Sequence, residues 1–243
     1  YRECPTVNTD PNTAVDVTIR PYEARDRQDV RRVCYMTGYM GERVDWLWRD
    51  EESFADMFTS YYTDVEPESA FVAELDGVVA GYLLGCVETF EAWSPSMLFF
   101  RQLVRRQIAF RPGTAGMVWR SFGDVVADSV RRRPFPVPVK DERWPAHLHV
   151  DLLASVRGKG VGAVLIRRWL ERLRDLRSPG CHLETLGENS RAISFFESTG
   201  FRRYREPSWA PGLRSPGGDR HTVQAMILSF EDSSTQSEVG GPR

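Results

Sequence analysis

Long hydrophobic runs are missing from this chain of 243 residues. No apolar stretch approaches the ~18 residues that a membrane span needs, so no membrane partner is expected. Residues 1 to 16 are polar and contain Pro5 and Pro11, which gives no signal-peptide pattern. Cysteine is scarce. Cys4, Cys34, Cys86 and Cys181 stand far apart, form no Cys-x-x-Cys pair and have no histidine at zinc-ligand spacing, so no metal site is expected. Cys34, Cys86 and Cys181 each lie in an apolar run, which points to buried reduced thiols in a cytoplasmic protein, with disulfides as the alternative. A surplus of one charge is also absent. Lys and Arg number 32 against 34 Asp and Glu, so the balance argues for no polyanionic partner such as nucleic acid. Internal repeats and heptad arrays are not found. What is present is an ordinary globular composition, 41% apolar and 27% charged, with length for one large domain or two small ones.

The pattern along the chain alternates between strand and helix. The polar segments 1–16 and 231–243 read as flexible ends around one domain over 17–230. "VTIRPY" (17 to 22) is a short strand closed by Pro21. Val30, Val33, Cys34 and Tyr35 lie near helical spacing, and Gly38 and Gly41 end that helix. Phe54, Met57, Phe58, Tyr61 and Tyr62 mark a second helix. "AFVAELDGVVAGYLLGCVET" is a hairpin whose Asp76-Gly77 pair suits a type I′ turn. Residues 90–143 form an insertion: two amphipathic helices, then a proline-rich extended return, in keeping with a lid or an interface. "AHLHVDLL" (146 to 153) is a strand in which His147, His149 and Asp151 alternate with apolar residues. A helix over 160–177 follows, then the strand "CHLETL", a helix capped by Asn189 with Gly200 past its end, and closing strands "FRRYRE" and "HTVQAMILSF".

Three glycines, Gly158, Gly160 and Gly162, stand where a strand meets a helix, with Arg157 and Lys159 among them. A helix N-terminus carries unpaired N–H groups and partial positive charge, and glycine lets a phosphate approach them closely. Alone, such a run is explained as well by a tight turn that needs positive φ. Neighbouring sequence narrows the choice. Gly158-Lys159 is followed by Gly160-Val161, not by the Ser or Thr of a nucleoside-triphosphate loop. The turn also comes two-thirds of the way along, after an antiparallel hairpin, not after a first strand as a dinucleotide fold requires.

At these residues the chain resembles the GNAT acetyltransferases. Arg157 to Gly162 matches that superfamily's Arg/Gln-x-x-Gly-x-Gly/Ala motif, and "ENSRAISFFESTGF" (188 to 201) resembles its second signature. The resemblance covers 17–89 and 146–230. "TGYMGE", "AFVAELDGVVAGYLLG" and "PAHLHVDLL" further resemble the acetyltransferase-like domain of O-GlcNAcase and its free-standing bacterial relatives. The resemblance implies an α/β (α+β) fold: a mixed, mostly antiparallel sheet of about seven strands, flanked by helices and splayed between strands four and five, with the helical insertion between strands three and four. It implies acetyl-CoA as the cofactor. Leu152, Leu153 and Ala154 would contact pantetheine. Arg157, Gly158, Lys159, Gly160, Val161, Gly162 and Ala163 would hold the pyrophosphate, and Asn189 and Phe196 would reach the cofactor from the following helix.

Transfer of an acetyl group to an amine requires a base, a donor for the thioester oxygen and a proton for the leaving thiolate. Asp151 is the expected base and His149 the next candidate. A carboxylate in a central strand is costly unless paired or functional, and the alternative is a structural Asp. His147 shares their face, while His182 and His221 read as isolated, satisfied strand histidines. Many GNAT enzymes place Tyr where this chain has Phe196, so Tyr204, Tyr62 or water would supply the proton. That departure sustains a rival reading, an acetyl-CoA-binding module without efficient catalysis. Arg101, Arg105, Arg106 and Arg131 to Arg133 suggest either solvated helix faces or the docking of an acidic or phosphorylated acceptor. Trp93, Trp119 and Trp144 read as core or dimer contacts, which leaves a homodimer open. Nothing in the sequence separates a small-molecule amine from a protein lysine as acceptor.

Overall fold

The computed structural model describes residues 17–89, 95–133 and 137–230. The expected flexible ends, Cys4 and Trp93 lie outside the described residues. Seven strands form one sheet in the order β1-β2-β3-β4-β5-β7-β6, with β1 at Val17–Pro21, β2 at Ala70–Leu75, β3 at Val78–Cys86, β4 at Ala146–Leu152, β5 at Gly180–Leu186, β6 at Arg202–Arg214 and β7 at Arg220–Ser229. Every neighbouring pair is antiparallel except β4 and β5. Asp76 and Gly77 both have positive φ, 50° and 79°, so the β2–β3 turn has the backbone that the Asp-Gly pair favours.

Two apolar clusters fill the two faces of the sheet. On one face pack α5 (Val161–Asp175) and α6 (Ser190–Ser198). Val161, Leu165, Ile166, Trp169 and Leu173 of α5 meet Leu83, Leu148 and Met226 there. The opposite face carries α1 (Arg27–Thr37) and α2 (Glu51–Asp64), whose Val30, Val33, Cys34 and Tyr62 cover Tyr82, Leu84 and Cys86. Buried Arg31 of α1 clamps the pair by ion pairs to Glu52 at 2.5 Å and Asp56 at 2.7 Å. Cys34, Cys86 and Cys181 are buried and unpaired by disulfides, and burial pushes the Cys86 thiol up to about 12.

The insertion between β3 and β4 holds α3 (Pro95–Arg106) and α4 (Ala115–Val130). Asp124 of α4 accepts from the Gly212 N–H and from Arg214, and Asp128 pairs with Arg220 at 2.5 Å, so the insertion is fastened to the β6–β7 hairpin. That support corrects the expected extent of β6, which continues eight residues past the expected end at Glu206 to Arg214. Pro207, Pro211 and Gly212 read as breakers in sequence. They are accommodated because β6 is an edge strand whose register with β7 shifts twice. Two of the insertion's arginines meet carboxylates: Arg106 faces Asp50, Glu52 and Asp56, and Arg133, which stays exposed, faces Asp128. Trp144 is buried, but Trp119 is not a core residue; it is 58% exposed and donates its N–H to the Ala109 carbonyl.

Gly85 lies near the end of β3, and a Cβ there would overlap the fully buried ring of Trp169. Gly85→Ala is expected to lower stability by ~1–3 kcal/mol, the usual cost of overpacking, measured by urea denaturation. Val78→Ala at the exposed start of the same strand should change it by less than ~0.5 kcal/mol.

Candidate functional site

β4 and β5 are paired at two positions only, Ala146 with Cys181 and His147 with His182. Beyond them the strands part. β4 stays on β3 as far as Leu152 opposite Gly81, and β5 stays on β7 as far as Leu186 opposite Val223. The N–H of Leu153 bonds to the Ala80 carbonyl at 2.8 Å, on the β3 side. By strand alternation, Leu152 and Val150 turn their backbone groups toward the gap instead. Of the three residues expected beside an extended ligand, Leu152 therefore offers free backbone groups, Leu153 has its N–H occupied, and Ala154 is exposed just past the strand end.

The glycine turn sits at the open end of this gap. Gly158 and Gly160 have φ of 74° and 77°, and a Cβ on either would meet nothing within 4 Å. The first bond of α5 runs from the Val164 N–H to the Gly160 carbonyl at 3.2 Å, so the N–H groups of Val161, Gly162 and Ala163 precede it. Arg157 and Lys159 are half-buried beside them. An open, donor-rich cradle with two cationic side chains fits a pyrophosphate. Phe195, not Phe196, abuts Gly162; Phe196 is buried among Phe195 and Phe201. Asn189 uses its side-chain oxygen to cap α6 through the Ala192 N–H at 3.2 Å, which leaves its NH₂ group available to a ligand.

His147, His149 and Asp151 share the α1/α2 face of β4, as the alternation predicts. Tyr82 donates to Asp151 Oδ2 at 2.6 Å. Burial pushes the Asp151 carboxyl up to about 6, outweighing the hydroxyl groups of Tyr82 and Thr37 that face it. Burial lowers His149 to about 4, with His182 adding to the effect, so its imidazole is neutral at pH 7. No hydrogen bond joins either ring nitrogen of His149 to a described residue. His147 is held from both sides, by the Tyr62 hydroxyl at Nε2 and by Thr89 Oγ1 at Nδ1. Burial, then His149 and His182, keep it well below the ordinary histidine range.

His182 and His221 are hydrogen-bonded strand histidines, as expected, but each has histidine or carboxylate neighbours that their isolation in sequence does not show. His182 stacks on His147 with ring centroids 5.6 Å apart and bonds the Trp144 carbonyl through Nδ1. His221 lies between Tyr39 Oη and Glu188 Oε2, each at 2.9 Å. This chain of three side chains ties the α1–α2 loop to the start of β7. The same loop reaches the glycine turn through Glu42, 3.6 Å from Arg157. Burial tends to raise the Glu188 carboxyl, but hydrogen bonds from Thr222 and His221 outweigh it and hold it low.

Sequence reasoning missed two further features, the Tyr39–His221–Glu188 chain and Glu184. Glu184 lies two residues past His182 on β5, on the same face as His149. It is exposed to solvent, and surrounding protein raises its carboxyl above the ordinary range. The signal was legible in "CHLETL", where His182 and Glu184 alternate with Cys181 and Leu183.

Because the Asp151 carboxyl is raised on folding, the unfolded chain gives up that proton first as pH rises. This residue therefore opposes folding increasingly between pH ~4 and ~6 and fully above that. Asp151→Asn, which keeps an oxygen for Tyr82, is expected to leave the melting temperature unchanged or higher at pH 8. Its advantage over the parent should shrink at pH 4; thermal scans at both values check this.

Comparison with known proteins adds to the geometry. Residues 39–201 match the model of the acetyltransferase (GNAT) family. Among solved structures, SsHAT is similar with a TM-score of 0.59 and 22% identity over 89% of this chain and 99% of that one. A putative acetyltransferase of Salmonella typhimurium, yncA, solved with acetyl-CoA, gives a TM-score of 0.51 and 14% identity over 92% and 99% of the two chains. The ribosomal-protein-S18-alanine N-acetyltransferase of Escherichia coli gives 0.50 and 14% over 90% and 97%. The splayed strands, the glycine cradle and the family match lead to one conclusion: the chain belongs to the GNAT family of acetyl-CoA-dependent acyltransferases.

Proposed function

We propose that the protein transfers the acetyl group of acetyl-CoA to a primary amine. The observation that carries this reading is the polar face of β4 and β5 at the splay, where Asp151, His149 and Glu184 stand beside a gap with open backbone groups. When bound, acetyl-CoA supplies an activated thioester. Arg157, Lys159 and the N–H groups of Gly158 to Ala163 hold its pyrophosphate, Leu152 and Ala154 line its pantetheine arm, and the Asn189 NH₂ group reaches it from α6.

The amine arrives protonated and must lose a proton before it can act as a nucleophile. Asp151 is the base in this reading, directly or through neutral His149, and its elevated carboxyl suits proton uptake near pH 6 and above. Tyr82 fixes the Asp151 carboxylate, while Val150 and Leu152 offer N–H groups to a developing oxyanion. Phe196 donates no proton, and Tyr204 packs on Trp144 at the β6 edge, two strands beyond β5. Water is then the simplest proton source for the thiolate, with Tyr62 engaged by His147.

Finer points belong to the same proposal. The sequence pattern around Gly38, the β2–β3 hairpin and β4 supports kinship with the O-GlcNAcase acetyltransferase-like domain. Buried free thiols support a reducing, cytoplasmic setting. The exposed α4 stripe of Trp119, Phe122, Val126 and Val130 supports a homodimer.

Two measurements test the reading. Gly160→Asp places a carboxylate and a strained φ in the cradle, so calorimetry should show acetyl-CoA affinity falling at least ~10-fold. Asp151→Asn should lower turnover by ~10²–10⁴-fold, remove the acid limb near pH 6 and leave acetyl-CoA affinity within about twofold. Unchanged turnover per folded molecule would assign Asp151 a structural role.

A further inference from the structure

Tyr39 and Glu42 bond each other's backbone in both directions, N–H to C=O, at 2.9 and 2.8 Å. Met40 and Gly41 between them have φ of 51° and 88°, so this part of the α1–α2 loop is a tight two-residue hairpin turn. Tyr39 anchors the turn to His221, and its tip rests on two arginines. Arg191, in the first turn of α6, donates to the Met40 carbonyl at 3.3 Å. Arg157, in the glycine turn, lies against Gly41. A Cβ on Gly41 would stand 2.5 Å from Arg157 Nη1 and 3.0 Å from Arg191 Nη2, so these two nitrogens are within about 5.5 Å of each other, the sum of the two distances.

Two cations held that close repel each other unless an anion joins them. Elsewhere in the molecule arginines have that anion: Arg20, Arg31 and Arg220 each meet a carboxylate within 2.7 Å. Here there is little. Glu42 lies 3.6 Å from Arg157 with its side chain 76% exposed, and no salt bridge joins Arg191 to a described residue. A guanidinium pair at the glycine turn, short of acidic partners, matches a phosphate oxygen by oxygen. We propose that Arg191 joins Arg157 in binding a phosphate group of acetyl-CoA, so that the cofactor's phosphates are gripped from α6 as well as from the glycine turn. The α1–α2 turn sets the spacing of the pair. The Met40 carbonyl orients Arg191, and Gly41, having no side chain, leaves the room in which the two groups meet. The inference rests on the acetyl-CoA reading of the splay and deepens it, since that reading draws only Asn189 from α6. CoA carries phosphate in two places, the pyrophosphate and the ribose 3′-phosphate, and guanidinium chemistry suits both.

The test is calorimetry on the full chain with CoA and with 3′-dephospho-CoA, which measures binding without any turnover. Arg191→Gln is expected to weaken CoA binding by ~10-fold or more, the worth of one charge-assisted contact. Arg191→Lys, which keeps the charge without the planar fork, should lose less. Between low and high KCl, CoA affinity should fall less steeply in Arg191→Gln than in the wild type, because one ionic contact to the ligand is gone. Melting temperatures close to that of the wild type report that both variants are folded. A loss that persists with 3′-dephospho-CoA assigns the pair to the pyrophosphate, and a loss confined to CoA assigns it to the 3′-phosphate; either supports the proposal. CoA affinity within about twofold of the wild type in Arg191→Gln would overturn it. So would a weakened affinity with the salt dependence of the wild type, which would make Arg191 only a tie between α6 and the Met40 carbonyl. In both of those cases the wild type still binds CoA and the acetyl-CoA reading stands without Arg191. A wild type that binds no CoA would end that reading and the proposal together.

Discussion

The parting of β4 from β5 after two residue pairs is the constraint on which the rest of the molecule depends. An interior strand normally spends its backbone groups on both neighbours, and unpaired N–H and C=O groups there are costly. Here each strand keeps one partner, β3 or β7, and leaves its other edge open. The opening persists because both strands are held elsewhere. Gly81 lets β3 lie close against Leu152, where a Cβ would overlap that side chain, and β7 follows β5 along its whole length. An extended ligand arm can then occupy a position that a strand would otherwise fill.

The two faces of the sheet divide the work. Below the gap, α5 and α6 bury an apolar face, and α5 starts at a cradle of left-handed glycines. Above it, α1 and α2 cover a row of polar side chains whose charges burial has adjusted. His149 is neutral, and Asp151 and Glu184 hold protons more readily than free carboxylates do. One loop joins the two sides. Between α1 and α2, Tyr39 reaches His221 while Glu42 reaches Arg157. That loop therefore contacts both the start of β7 and the glycine turn.

The insertion acts as a brace. Its acidic residues Asp124 and Asp128 face inward to Arg214 and Arg220, and they support an edge strand interrupted by two prolines and a glycine. Its outward face is apolar and basic, with Trp119 and Phe122 exposed. For Trp119 the sequence left core and dimer contact both open, because amphipathic spacing reports that a helix has two faces, and not which one the fold covers.

Periodicity and turn chemistry are local properties, and they made most elements legible without a structure. The Asp76-Gly77 hairpin, the apolar face of α5, the Asn189 cap and the alternation of His147, His149 and Asp151 follow from neighbours within a few residues. The glycine turn and the second signature together pointed to the family, because a strand-to-helix turn of left-handed glycines needs particular residues at fixed spacing. Contacts between distant segments had no such signal. Tyr39 and His221 are 182 positions apart, and Tyr82 and Asp151 are 69 apart. Which carboxylate is satisfied and which is left open depends on that long-range packing, so Asp151 stood out in sequence while Glu184 did not. The elements and the glycine turn are written in local sequence, whereas the charges that face the gap are set by desolvation and hydrogen bonding from whatever distant segments fold against them.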